Sequence, residues 1–251
     1  MTIDEILYTI GAVIEGAGKR LYSALLTFFL PRPRKSPPSF RLLQRLVRKN
    51  VTVHEFISLE LQLTLLLYLL ISLLIVVLMR NLWIFGLVTV FIFLALRYML
   101  VSKRDFIIGF SAYRFFYCGL FFISAGAFGG YLLLRAHVRG VYHYYSYLLT
   151  TLVAVIAFRQ YFRSRYGRDY TYGIVEEVKN DLIRVFVHDD IGANVKPGHY
   201  WVPAVPDAEP GGIVKLLVEE RAMRSSVPVR ILEVHLDQSS QTETEPKEEA
   251  E

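Results

Sequence analysis

One cysteine, two tryptophans and four methionines are all that 251 residues supply of these types. With Cys118 alone, neither an intrachain disulfide nor a multi-cysteine zinc site can form, and the thiol sits in an apolar stretch as a small hydrophobe. Acidic residues are scarce early: residues 1–168 hold 6 Asp and Glu against 20 Lys and Arg, a balance of +14. The four long apolar stretches hold no carboxylate, whereas a proton-coupled transporter often carries one in its spans. There is no phosphate-cradling glycine loop and no G-x-S-x-G elbow, and His54-Glu55 lacks the second histidine of a helical zinc-protease motif. The start MTIDEILYTIG has no basic region leading into an apolar one, so no removable signal peptide is expected.

What is present is greasy. Hydrophobic residues make up 53% of the chain, with 17 Phe and 16 Tyr. Leu61 to Met79, Leu82 to Val101 and Val141 to Phe158 are each close to the ~20 apolar residues that cross a bilayer core, and Phe106 to Leu134 is longer than a span needs. Only Arg80 and Asn81 separate the first two, which demands a tight hairpin. Lys and Arg collect before the first span, between the second and third, and after the fourth, so the positive-inside rule places both termini in the cytoplasm of a multi-pass cell-membrane protein. Trp83 and the cluster Tyr142, Tyr144, Tyr145 and Tyr147 then fall at the outer interface, where amphipathic rings are favoured.

Before the spans, polar or small residues recur every three or four positions from Asp4 to Leu30, opposite Ile6, Ile10, Val13, Leu21 and Phe28, the pattern of an amphipathic helix. Glu15, Lys19 and Arg20 near its middle keep it in the interface or against its neighbours. PRPRKSPP breaks it, and FRLLQRLVRKN, from Phe40 to Asn50, is a second basic amphipathic segment. Beyond Asp169 the period changes to two. TYGIVEEVK, the turn Asn180-Asp181 and LIRVFVHDD read as a hairpin with Ile183, Val185 and Val187 on one face. Pro197-Gly198 marks a further turn, and IVKLLVEE and VPVRILEVH supply two more strands, although Leu216 to Arg224 fits a helix equally well. The fold class expected is an α-helical membrane protein with a small C-terminal all-β barrel of SH3-like or OB-like kind. Its parts are amphipathic helices over 1–55 with a proline-rich break at 31–38, a four-helix transmembrane bundle over 56–158, a basic juxtamembrane linker over 159–168, a cytoplasmic β-barrel over 169–236 and a disordered acidic tail over 237–251.

Arg159, Arg163, Arg165 and Arg168, interleaved with Tyr161, Phe162 and Tyr166, suit either single-stranded nucleic acid or lipid headgroups. Residues 169–235 carry 11 acids against 7 bases and would repel phosphates, so the expectation is a lipid-headgroup anchor and no nucleic acid. Arg114 sits in the third stretch, where it either lines a cavity or snorkels; the excess length of that stretch favours snorkelling. On the same helix Ala125, Gly126, Gly129 and Gly130 suit close helix packing, within one chain or between copies. His188, Asp189 and Asp190 resemble ligands by type, but strand neighbours point to opposite faces, so a solvated strand end is expected there, with no metal and no cofactor.

The stretch RYGRDYTYGIVEEVKNDLIRVFVHDDIGANVKPGHYWVP, residues 165–203, resembles an archaeal family of predicted polytopic membrane proteins of uncharacterised function. The resemblance implies a membrane location and brings no catalytic residues. In outline, spans followed by a small barrel are also similar to the stomatin-partner membrane proteins, a likeness of architecture alone. Without a nucleophile, base or metal set, the functional expectation is a non-enzymatic scaffold or adaptor whose β domain docks a protein partner. The alternative is a small homo-oligomeric channel or transporter built around Arg114 and the glycine-rich third helix.

Overall fold

The computed structural model describes residues 15–20, 22, 23, 26–33, 38, 52–138, 140–221 and 224–235. The chain divides into two compact units, Met1–Phe110 with Arg114–Val155, and Ser111–Tyr113 with Ile156–Glu251. The Phe40 to Asn50 segment and the 237–251 tail lie outside the described residues.

Four helices, α1 (Val53–Leu74), α2 (Leu82–Ser102), α3 (Phe110–His137) and α4 (Val141–Tyr166), are each long and apolar enough to span a membrane. α1 begins eight residues before Leu61, because Thr52 and Glu55 form a capping box in which the Thr52 N–H donates to Glu55 Oε2 at 3.1 Å. This early start brings His54, Glu55 and Glu60 onto the first spanning helix, which therefore carries carboxylates the apolar stretch alone did not. A π-helical segment, Ile75–Met79, extends α1, and the Arg80 N–H closes on Ile75 O at 2.8 Å with Arg80 in the left-handed region at φ +55°. Asn81 then caps α2, its Oδ1 accepting from the Trp83 and Ile84 N–H groups at 2.9 and 3.2 Å. Two residues thus suffice for the turn. α3 starts at Phe110, four residues after the expected Phe106, because Gly109 adopts φ +70° and the chain before it forms only a short 3-10 turn, Arg104–Phe106.

In this first unit the fully buried Tyr68 ring stacks on Phe121 with centroids 4.4 Å apart, and its hydroxyl lies 3.3 Å from Thr89 Oγ1. The described residues between 15 and 29 are helical, as the sequence period requires, and Phe28 and Phe29 at their end meet α2. Phe28 sits 6.0 Å from the rings of Phe91 and Tyr98, while Arg97 Nη1 donates to Phe29 O at 3.2 Å, a cation satisfying a carbonyl at a helix C-terminus.

In the second unit five strands form one antiparallel sheet, β1 (Tyr170–Lys179), β2 (Leu182–Val187), β3 (Gly198–Pro203), β4 (Ile213–Glu219) and β5 (Val227–His235), in the order β3-β2-β1-β4-β5. The expected small barrel is realised as this sheet curled into a half-barrel. Bulges after Val175 in β1 and at two points of the β4–β5 pairing supply the curl. Strict alternation along each strand sends Val175, Ile183, Val185, Val187, Val202, Val214, Leu216 and Val218 into the core. Asn180, at φ +51°, turns β1 into β2, and the Leu216 region is strand.

Candidate functional site

The junction between α4 and β1 explains the arginine run. α4 continues through residue 166, so Arg159, Arg163 and Arg165 lie on its last two turns, all exposed. Arg163 pairs with Glu220. Arg168 leaves the helix end and turns inward: its N–H donates to Gly192 O at 3.1 Å and its Nη2 to the two oxygens of Asp190 at 3.0 and 3.1 Å. Burial opposes the Arg168 charge, but the Asp190 carboxylate and the Tyr170 hydroxyl outweigh it and hold its pKa above the usual arginine value. Of the four arginines, Arg163 and Arg168 are engaged in ion pairs, and Arg159 and Arg165 are exposed on the helix.

Asp190 departs from the expected solvated strand end. β2 stops at Val187, and the chain folds back so that Asp190 and Val195 exchange N–H groups and carbonyls at 3.1 and 3.0 Å. The Asp190 side chain, 15% exposed, accepts from Arg168, from Thr171 Oγ1 at 2.9 Å, and from the Gly192 and Ala193 N–H groups at 3.0 and 3.1 Å. A carboxylate so committed organises a loop and has no lone pair to spare for an ion. Among the described residues no group of three or more His, Cys, Asp and Glu is placed to hold a metal.

Within the first unit, Arg114 is exposed one turn into α3, its guanidinium 5.7 Å from the Phe110 ring centroid. Gly129 faces α2, where an added Cβ would stand 3.2 Å from the Phe85 ring; Gly130 faces α4, where a Cβ would overlap the Tyr147 hydroxyl. Tyr147 donates to Gly126 O at 2.7 Å and Ala127 O at 2.9 Å, so these contacts lie within one chain. Ala125 is half-buried beside them. The tyrosine cluster is thereby split: Tyr142 and Tyr145 stay exposed, while Tyr144 and Tyr147 turn towards α3, with the Tyr131 and Tyr144 rings 5.8 Å apart. Tyr147→Phe should lower stability by about 1 kcal/mol, the net worth of a polar contact between spanning helices, read as a shift in detergent unfolding.

Two further features escaped the sequence reading. At the start of α1, His54 is buried with Nδ1 accepting the Ile108 N–H at 3.3 Å, and Glu60 pairs with Lys103, both side chains largely buried. The T-x-x-E capping signature at Thr52-Val-His-Glu55 was the signal for the helix start that creates this cluster. On the outer face of the sheet, register lines up Ile213, Ile174, Phe186 and His199 across β4, β1, β2 and β3. Tyr172 and Trp201 flank this row, and Tyr172, Ile174, Trp201 and Ile213 are all exposed. The rim is polar. Glu176 Oε2 accepts Arg184 Nε at 3.0 Å and lies 2.8 Å from His199 Nδ1, and Lys215 Nζ donates to Glu233 at 3.1 Å, a bond that raises the Lys215 pKa.

Four candidate spans followed by this curled sheet are what a family profile described as a predicted membrane protein, DUF2101, encloses in its match to residues 25–232. The chain belongs to that family. The DUF2101 match takes in all four spans, the Asp190 loop and the first six residues of β5. No curated protein and no solved structure matches the chain. DUF2101 membership establishes a predicted membrane protein of unknown function.

Proposed function

We propose that this DUF2101 protein is a non-enzymatic scaffold of the cell membrane, with both termini cytoplasmic, whose β domain docks a cytoplasmic or membrane protein through the outer sheet face. The apolar row Ile213, Ile174, Phe186 with Trp201 and Tyr172 carries this reading. Contiguous exposed apolar surface on a folded domain, rimmed by polar pairs, has the anatomy of a protein interface. The charge division supports the orientation: the spans' flanks are basic on the side that leads into the β domain.

The test is photo-crosslinking from Tyr172 and Trp201 positions in native membranes, followed by mass spectrometry. One near-stoichiometric foreign protein is expected, and Ile174→Asp with Ile213→Asp should reduce its yield at least about tenfold, since both changes put charge into the row without touching the core. Capture undiminished by that double change would sink the docking face. Crosslinks to copies of the same chain alone would overturn the adaptor and leave the homo-oligomeric channel or transporter as the reading to pursue.

A further inference from the structure

We propose that His54 is a proton-binding site that holds and releases the turn leading from α2 into α3. The imidazole is 5% exposed, yet it makes a contact that only one of its protonation states allows. Its Nδ1 accepts the Ile108 backbone N–H at 3.3 Å, which requires a bare lone pair on that nitrogen and places the ring proton on Nε2. A proton added to Nδ1 occupies that lone pair. Two N–H groups then face each other, and the bond to Ile108 is lost.

The turn is built to respond. Residues 103–109 are held by little backbone bonding of their own: Phe106 N–H to Lys103 O at 3.1 Å and Ile107 N–H to Arg104 O at 3.3 Å. Its tethers to α1 include the His54 bond and the Lys103–Glu60 ion pair. Gly109, at φ +70°, follows immediately as the joint before α3, and Ile107 is buried beside the tether. The charged groups on the two elements that meet here are Glu55 and Glu60 of α1 and Lys103, Arg104 and Asp105 of the turn. The Glu55 carboxylate caps the Thr52 N–H, Glu60 holds Lys103, and the Arg104 guanidinium lies 5.4 Å from the Phe110 ring centroid. Proton uptake at His54 therefore removes the bond to the Ile108 N–H and leaves the Lys103–Glu60 ion pair in place. The outcome is a loosened entry to α3 in a folded protein.

Amide hydrogen exchange of the full chain in lipid nanodiscs, at pH 8 and pH 5 and corrected for intrinsic chemistry, tests this. Protection at Ile108 should fall about tenfold at the lower pH, the loss expected for one hydrogen bond, while amides in the middle of α1 stay protected. His54→Asn places Oδ1 where Nδ1 lies and cannot titrate in this range, so it should keep Ile108 protected at both values. Equal protection of the unaltered protein at both pH values overturns the proposal, and so does a fall that persists in His54→Asn. Should that variant not fold, nitrogen-15 spectra of histidine-labelled protein decide: protonation of His54 Nδ1 must occur over the same pH interval as the loss of protection, and separate intervals overturn it.

Discussion

Asp190→Ala is expected to lower the stability of the β unit by about 3 kcal/mol, the cost of leaving a half-buried guanidinium and two backbone donors without their acceptor. The carboxylate joins Arg168, Thr171 and the Gly192–Ala193 backbone, so its removal frees the loop and the α4 to β1 junction together. Denaturant unfolding of the full chain, followed by Trp201 fluorescence in a Trp83→Phe background, reads the change; Trp83 is exposed and its replacement should be silent. Asp190→Asn should lose less, because one oxygen still accepts. The Arg168 share of this stability should not vary between pH 6 and pH 9. Its folded pKa is raised, so its contribution is fully present below the unfolded value and disappears only as pH climbs through the folded one. A loss under about 1 kcal/mol would mean that the loop holds without its acceptor.

Gly173→Val should be nearly as costly, by about 2–3 kcal/mol, for an unrelated reason. Gly173 lies in the centre of β1, paired with Val187 on one side and Val214 on the other. An added Cβ would overlap a methyl of Val185, and it would lie 3.0 Å from Phe186 O and 3.1 Å from the Leu216 side chain. Val185 and Leu216 are both fully buried and have nowhere to retreat, so the strain must spread through the sheet. The same fluorescence measurement applies. Gly126, whose Cβ would meet nothing within 4 Å, is the control: Gly126→Ala should leave stability unchanged or slightly raised.

These results separate two kinds of information. The hairpin from Tyr170 to Val187 was legible because alternation, Asn180 and the β-branched residues agree, and agreement of local signals is what makes a segment fold one way. The span ends were less so. Hydropathy marks where apolar residues stop, whereas helices end where caps and left-handed residues put them, at Thr52, Arg80 and Gly109. Asp190 was misread because its type and position fit a strand end equally well; its partners, Arg168 and Thr171, precede it by about twenty residues and lie on another strand or at its entry.

Composition and period alone settled that this chain carries four membrane-length helices and a small β domain, since burying ~20 apolar residues or alternating every second one leaves few other outcomes. Only the tertiary structure decided that Tyr147 closes on the carbonyls of Gly126 and Ala127, that His54 takes the Ile108 N–H, and that the exposed Ile213 and Ile174 share one row with the half-buried Phe186. Periodicity tells which face a side chain occupies. Which atom meets it depends on register and closure between segments far apart in the chain, and hydrogen bonds, being short and directional, are decided there.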